Sequence, residues 1–232
     1  MGKDVIVACD FASGAETTAF LDGFADRRPY VKIGMELFYA EGPDIVRRLR
    51  ERGHPVFLDL KLHDIPNTVK KAMAVLSRLG ADMVNLHAAG TRAMMEAAIE
   101  GLTRPDGTRP ILLAVTQLTS TSEERMRREL LIDRPLADTV AAYAENARAA
   151  GLDGVVCSPL EARRIHEVCG GDFLTVTPGV RFPDAEKDDQ TRVTTPAGAK
   201  ALGSDYIVVG RPITRARDPL AAYERCLAEF LG

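Results

Sequence analysis

Short apolar runs rich in β-branched residues recur along the chain and alternate with longer segments that carry apolar residues at helical spacing. Runs of this kind, ending in a polar residue or a glycine, are typical of buried strands, and the longer segments are typical of amphipathic helices. The pattern predicts eight strands, at Val5–Cys9, Tyr30–Ile33, Val56–Leu60, Met83–Leu86, Ile111–Val115, Gly154–Cys157, Leu174–Thr177 and Tyr206–Val209.

Proline near the start and glycine just past the end bound several of the helical segments, which is the usual asymmetry of helix termini. Ser13 is predicted to be the N-cap of the first helix. The predicted helices are Ala15–Ala25, Pro43–Arg52, Pro66–Leu79, Thr91–Gly101, Leu136–Ala150, Pro159–Val168, Pro196–Leu202 and Pro219–Phe230. Two connections are long, 117–135 and 179–194, and long loops in a compact domain are often binding loops.

Eight strand–helix units in 232 residues fit a (β/α)8 TIM barrel of the α/β class, near the lower size limit of that fold. A doubly wound open sheet has the same alternation and is the structural alternative, because alternation alone does not prove closure. No linker rich in proline, glycine or serine divides the chain, so a single domain over residues 1–232 is predicted. In a barrel, the active site is expected at the carboxyl ends of the strands.

The charge balance and the cysteines narrow the classes of function. With 30 Lys and Arg against 33 Asp and Glu, the net charge is −3 and no basic stripe is visible, so nucleic acid is not an expected partner. The longest uncharged stretch, 110–122, is too short to cross a membrane, and no secretory signal is recognised. The four cysteines are scattered without a CxxC pair, which favours reduced thiols in a cytoplasmic protein and predicts no metal site.

Charged residues stand at the ends of the first three predicted strands: Asp10, Lys32, and the pair Asp59 and Lys61. Because Asp59 and Lys61 are two residues apart, their side chains point to the same side of an extended strand, within reach of an ion pair. A structural ion pair is the simplest interpretation of that spacing. Since unpaired buried charges are unfavourable, the further charges at neighbouring strand ends favour a functional site.

Glycine and arginine follow the last two predicted strands. Gly210 and Arg211 come directly after the eighth strand, and Arg181 follows a glycine after the seventh. Barrels frequently bind phosphate between these two loops, where glycine admits close approach of the backbone and arginine supplies a guanidinium fork. Surface arginines after turn glycines are the alternative interpretation. Gln190, in the long seventh loop, can close over a phosphate or a base, and a solvated loop residue is its alternative.

The run Asp59–Thr68, with the sequence DLKLHDIPNT, closely resembles the D-x-K-x-x-D signature of the orotidine 5′-phosphate decarboxylase family, in its short bacterial form. The resemblance covers nearly the whole chain. Other matching motifs follow in family order: Asp10 in ACDF, Lys32 in VKIG, Leu118–Ser120, Pro178–Arg181 and Val209–Ile213. It implies decarboxylation of orotidine 5′-monophosphate to uridine 5′-monophosphate and CO2, the last step of de novo UMP biosynthesis, without a cofactor or a metal.

The resemblance also implies a set of catalytic residues. Lys61 is implied to be the general acid, and Asp59 the carboxylate that lies beside the substrate's own carboxylate. Asp64 and Thr68 are implied to reach the active site of the neighbouring subunit, so a homodimer is expected. On the sequence alone, a cap of the following helix is the favoured interpretation of Asp64, and Thr68 is an ordinary residue of its first turn.

Further residues are implied to contact the substrate. Asp10 and Lys32 resemble the residues that bind the ribose hydroxyls and complete the catalytic charge network. Thr119 resembles the hydroxyl that contacts the pyrimidine, and Gln190 and Arg211 resemble a phosphate clamp. Two further residues are implied beside that clamp: Arg181 and Gly210.

Two other functions share parts of this pattern. Sugar-phosphate enzymes of the 3-keto-gulonate or hexulose 6-phosphate class have a similar D-x-K-x-x-D motif but use Mg²⁺. They need a carboxylate at the end of the second strand, where this chain has Lys32. A non-catalytic sensor of a phosphorylated ligand would need the phosphate residues but not Asp59, Lys61 and Asp64 together.

Overall fold

The computed structural model describes residues 3–183 and 193–232, and its eight parallel strands form a closed barrel. The strands are β1 (Asp4–Ala8), β2 (Tyr30–Ile33), β3 (Val56–Leu62), β4 (Met83–His87), β5 (Ile111–Val115), β6 (Gly154–Val156), β7 (Leu174–Thr177) and β8 (Tyr206–Val209). Each strand pairs with the next along the chain, and β8 pairs with β1. The TIM barrel prediction is therefore confirmed, and the open sheet is wrong.

Helices follow the strands and surround the barrel. They are α1 (Gly14–Asp22), α2 (Met35–Glu41), α3 (Asp44–Glu51), α4 (Pro66–Leu76), α5 (Thr91–Leu102), α6 (Glu123–Glu129), α7 (Leu136–Ala149), α8 (Ala162–Cys169), α9 (Pro196–Ala201), α10 (Arg211–Thr214) and α11 (Pro219–Leu231). Each predicted helix is present with shifted ends, and Ser13 caps α1 by accepting a hydrogen bond from the backbone N–H of Glu16. Across the described ranges, no helix is long and apolar enough to cross a membrane.

Three helices, α2, α6 and α10, were not predicted. Helix α6 has the sequence EERMRRE, and only Met126 on it is buried. Helix α2 buries only Leu37 fully, and α10 is a single turn of four residues. Segments this short, with one buried side chain, have no apolar stripe from which a helical period can be recognised.

Alternate positions on the strands fill two separate cores. On β1, Val5 and Val7 belong to the core between the barrel and the helices, whereas Ile6 and Ala8 belong to the core inside the barrel. This alternation follows from the twofold period of strand side chains. On β3, Phe57 belongs to the apolar core inside the barrel, and the next inward position toward the carboxyl end is Asp59. The interior therefore changes from apolar to charged toward the carboxyl ends of the strands.

Candidate active site

A pocket of about 820 Å³ opens at the carboxyl ends of the strands. Its size lies in the usual range for small-molecule sites. The residues that line it include eight of those predicted from the sequence: Asp10, Lys32, Asp59, Lys61, Thr119, Arg181, Gly210 and Arg211. The fold thus brings together residues from the ends of β1, β2, β3, β5, β7 and β8, as the barrel prediction required.

Four charged side chains form a row of alternating sign along one wall of this pocket. The Nζ of Lys32 lies 2.9 Å from Oδ1 of Asp10 and 3.4 Å from Oδ2 of Asp59. The Nζ of Lys61 lies 2.6 Å from Oδ1 of Asp59. Asp59 is only 8% exposed, so it supplies a buried negative charge between two lysines. Each ammonium is thereby held in place by at least one carboxylate.

The two most buried groups of the row, Lys32 and Asp59, stay charged near neutral pH. Burial alone would lower the pKa of Lys32, but the charges of Asp59 and Asp10 outweigh it and leave the pKa above its usual value. Burial would likewise raise the pKa of Asp59, but Lys32 and Lys61 outweigh it and hold the pKa below its usual range. By contrast, burial raises the pKa of the Cys9 thiol to about 12, so this nearby cysteine is not a nucleophile at neutral pH.

The backbone at Lys61 differs from the extended strand that the sequence predicted. Lys61 has φ +50°, in the left-handed region that residues other than glycine rarely adopt. Leu58 pairs with Val84 and Leu62 with Leu86, so three residues of β3 lie opposite one residue of β4. This is a bulge. Asp59 and Lys61 meet as predicted, but an irregular backbone brings them together rather than simple alternation.

Asn85 is one residue of this site that sequence reasoning missed. It is the single residue of β4 opposite the bulge, its exposed fraction is 1%, and its side chain contacts Asp59 and the backbone of Lys61. The signal available was a polar residue in the otherwise apolar run of β4 before His87. Such a residue at an inward position requires a hydrogen-bond partner inside the barrel.

The ends of β7 and β8 carry the residues suited to phosphate. Arg181 and Arg211 line it together with Gly210, as predicted, and Arg215 lines it as well, which the sequence did not indicate. A Cβ added at Gly210 would meet only Ala8, at 3.5 Å, an ordinary contact. The neighbouring atoms therefore leave room at this position, which belongs to the pocket lining. Gln190 lies outside the described residues.

The seventh loop is fixed at its base. The backbone N–H of Arg181 donates to the carbonyl of Thr194, and the N–H of Thr194 donates to the carbonyl of Gly179. The guanidinium of Arg225, on α11, lies 4.0 Å from the ring centroid of Phe182, which is a cation–π contact. These contacts hold Arg181 at the pocket.

Asp64 and Thr68 do not line the pocket of their own chain. Both are exposed. The Oδ1 of Asp64 accepts a hydrogen bond of 2.6 Å from the N–H of Ile65, and Ile65 is the N-cap of α4, so the interpretation of Asp64 as that helix cap is wrong. Neither the Asp64 nor the Thr68 side chain therefore contributes to the pocket of its own chain.

His63 and His87 lie together beside the bulge, with ring centroids 5.7 Å apart. Burial, together with His63 and Lys61, lowers the pKa of His87. Neither ring lines the pocket. Over residues 3–183 and 193–232, no group of three or more His, Cys, Asp or Glu side chains is arranged to hold a metal ion.

A closed parallel barrel, whose mouth joins a lysine–carboxylate network to arginines on the last two loops, defines a class of protein with a site for a small phosphorylated molecule. The sequence model of the orotidine 5′-phosphate decarboxylase / HUMPS family matches residues 3–226. The chain belongs to this family.

Relatives named orotidine 5′-phosphate decarboxylase match the full chain. The protein from Bacillus caldolyticus is 62% identical, and that from Geobacillus kaustophilus (strain HTA426) is 61% identical; each alignment covers 100% of this chain and 96% of the relative. A crystal structure of orotidine 5′-phosphate decarboxylase from Lactobacillus acidophilus has a TM-score of 0.88 at 44% identity, covering 99% of this chain and 100% of that one. The predicted family is confirmed.

Proposed function

We propose that this chain decarboxylates orotidine 5′-monophosphate to uridine 5′-monophosphate and CO2, the last step of de novo UMP biosynthesis. One observation carries the proposal: the Lys61–Asp59–Lys32–Asp10 row and arginines suited to a phosphate line the same pocket. The names of the full-length relatives support it. The barrel over residues 1–232 is proposed to be one catalytic domain.

Lys61 carries the chemical step. The bond between C6 of the pyrimidine and its carboxylate breaks, CO2 leaves, and the electron pair remains on C6 in the ring plane, where the π system cannot delocalise it. The Lys61 ammonium stabilises that charge and then donates its proton to C6, giving the C6–H bond of the product. The neutral amine regains a proton from water before the next turnover.

Asp59 contributes to this step in two ways, through Lys61 and through the carboxylate of the substrate. Its Oδ1 fixes the Nζ of Lys61 at 2.6 Å, so the acid is oriented before the substrate arrives. We propose, in keeping with the resemblance, that the substrate carboxylate lies beside Asp59, so that its departure as neutral CO2 removes one of two adjacent negative charges. The interaction therefore favours the transition state over the bound substrate.

The remaining pocket residues bind parts of the substrate that are remote from the reacting carbon. Arg211, Arg181 and Gly210 bind the phosphate, together with Gln190. Asp10 and Lys32 bind the ribose hydroxyls, and the Thr119 hydroxyl contacts the pyrimidine; their proposed roles follow the resemblance, and all the described ones line the pocket. Binding energy from the phosphate is available to organise the charges at C6.

Turnover of the nucleotide is the direct test of this function. Purified protein is expected to remove the ultraviolet absorbance of orotidine 5′-monophosphate, forming one UMP and one CO2 per substrate consumed. Tight binding of the nucleotide without product would favour the phosphate sensor instead. Turnover of a 3-keto-gulonate or hexulose 6-phosphate but not of the nucleotide would favour the Mg²⁺-dependent class, although Lys32, with both neighbouring carboxylates already paired to it, disfavours a cation there.

We further propose a homodimer in which Asp64 and Thr68 complete the partner's site. Both are exposed and do not line the pocket of their own chain, and Ile65 between them is an apolar side chain that is 66% exposed. A cytoplasmic location is proposed on the four free, buried cysteines.

Shared sites make a quantitative prediction for mixed subunits. Lys61→Ala and Asp64→Ala proteins are each expected to be inactive. After subunit exchange at equal amounts, half of the dimers are mixed and one of their two sites is intact, so activity should return to about one quarter of the wild-type value.

The control for that mixture is Lys61→Ala with Asp59→Asn. Because Asp59 and Lys61 belong to one site, no mixed dimer regains an intact site and no activity should return. Failure of the first mixture to recover activity, with exchange demonstrated by differently tagged subunits, would contradict the shared-site proposal.

A further inference from the structure

The side chain of Asn85 joins the two residues that the proposed mechanism depends on. Its Nδ2 donates a hydrogen bond of 2.7 Å to Oδ1 of Asp59, and its Oδ1 accepts one of 2.8 Å from the backbone N–H of Lys61. The same Oδ1 of Asp59 accepts from the Nζ of Lys61. Asn85, Asp59 and Lys61 thus form a closed ring of three hydrogen bonds at the bulge of β3.

The bulge creates the need for such a residue. Between the pairs Leu58–Val84 and Leu62–Leu86, three residues of β3 lie opposite Asn85 alone. The backbone of β3 there does not follow the regular ladder, and Lys61 sits at φ +50°, a conformation that costs a non-glycine residue energy. The amide oxygen of Asn85 replaces the strand carbonyl that the Lys61 N–H would otherwise need.

We propose that Asn85 is a positioning residue for this reaction, which orients the Lys61 ammonium and Asp59 carboxylate by holding the bulge. The inference rests on the proposed decarboxylase function. Asn85 is 1% exposed and does not line the pocket, so it acts through Asp59 and Lys61 and not on the substrate. A side chain with one donor and one acceptor is required, because a carboxylate and an N–H must be satisfied at once.

Two substitutions separate these roles. Asn85→Ala removes both hydrogen bonds and leaves the Lys61 N–H and one site of the Asp59 carboxylate unsatisfied. Asn85→Asp keeps an acceptor for the Lys61 N–H but sets a second carboxylate against Asp59, at the present 2.7 Å contact. Two carboxylates at such a short distance share a proton. As pH rises this proton is lost, and the repulsion between the two negative charges separates the groups.

The matched control is Thr175→Val. Thr175 is fully buried on β7, and its hydroxyl donates a hydrogen bond of 2.9 Å to Oδ2 of Asp205. The residue is distant in sequence from the bulge of β3 and does not line the pocket. The substitution removes this hydrogen bond and the one of 3.2 Å that the hydroxyl accepts from the backbone N–H of Asp205, without changing the shape of the residue much. It reports what a general loss of barrel stability does to turnover.

The experiment measures kcat on orotidine 5′-monophosphate from about pH 5 to pH 8, and the affinity for UMP by calorimetry, for wild type and the three variants. Asn85→Ala is expected to lower kcat about 100-fold, because misplacement of a reacting group by about 1 Å has that effect. Its affinity for UMP should stay within about threefold, since the phosphate residues are untouched. Asn85→Asp should lose kcat relative to wild type as pH rises, and Thr175→Val should keep wild-type kcat.

Each result bears on the inference. It is overturned if Asn85→Ala lowers kcat no more than Thr175→Val, if kcat and UMP affinity fall in parallel, or if Asn85→Asp follows the wild-type pH profile. Should Asn85→Ala fail to fold, the pH profile of Asn85→Asp decides alone. Absence of turnover by the wild type would instead refute the proposed function. The wild-type measurement therefore distinguishes failure of the decarboxylase proposal from failure of the Asn85 proposal.

Discussion

Replacing Lys61 by alanine is expected to reduce kcat/KM by about 10⁴-fold or more, because the variant loses both the proton donor and the positive charge that faces the developing carbanion. Among the described residues, Lys32 is the only other lysine that lines the pocket. Lys32 is held by Asp10 and Asp59, with Nζ–oxygen distances of 2.9 and 3.4 Å. Steady-state kinetics by ultraviolet absorbance measures the effect, and UMP binding by calorimetry verifies that the pocket remains formed.

The matched control is Lys70→Ala on α4. Lys70 forms an ion pair with Glu100 at the surface, outside the pocket lining. Its loss removes a lysine without touching the charge row, so kcat/KM should stay close to the wild-type value. Comparable activity in Lys61→Ala and Lys70→Ala would contradict the assignment of Lys61 as the acid.

Asp59→Asn is expected to impair both activity and stability. The substitution preserves shape but removes the negative charge between Lys32 and Lys61, leaving two ammonium groups without their shared buried partner. Removing one member of a buried charge pair costs about 3 kcal/mol of unfolding free energy. Because Lys61 loses its orienting carboxylate, kcat should fall about 10³-fold.

The stability effect has a defined pH dependence. The pKa of Asp59 is held below its usual range in the folded protein, so its contribution to stability is present above the unfolded pKa of about 4 and is lost as pH falls through the folded value. The difference in urea unfolding free energy between wild type and Asp59→Asn should thus be large at pH 7 and shrink in acid. A difference that grows on acidification would contradict the ion-pair account.

Asp172→Asn provides the control for stability. Asp172 pairs with Arg148 at the surface, where its side chain is largely exposed. Exposed ion pairs contribute little because water screens them and long side chains must be ordered to form them. Because the hydrogen bond from Arg148 lowers the pKa of Asp172, this variant is expected to lose a little stability at pH 7 and less in acid. The pH trend of Asp59→Asn should be much larger if it belongs to the buried site.

The barrel could be predicted because its strands carry a strong local signal. Ile111–Val115 and Tyr206–Val209 are apolar runs with clear boundaries, and they occur in the structure with the predicted ends. Closure does not follow from the local pattern, since it depends on the pairing of β8 with β1, and that contact joins opposite ends of the chain. Helix α6 could not be predicted because six of its seven residues are charged.

The part of the site that could be predicted is the part determined by the type of each residue and by its position at the end of a strand. Asp59 and Lys61 meet because both stand at the mouth end of β3, as the sequence indicated. The positive φ of Lys61 and the role of Asn85 were not predictable, because the bulge arises from pairing with another strand 26 residues further along the chain. Local sequence does not encode that register.

The most direct test of the central claim is the initial rate of orotidine 5′-monophosphate decarboxylation by wild-type protein before and after exhaustive dialysis against EDTA. If Lys61, oriented by Asp59, supplies the electrostatic stabilisation and the proton, the rate should be unchanged after dialysis and unaffected by added Mg²⁺. A rate that EDTA abolishes and Mg²⁺ restores would contradict the account, because the developing charge would then be stabilised by a metal ion and not by the lysine.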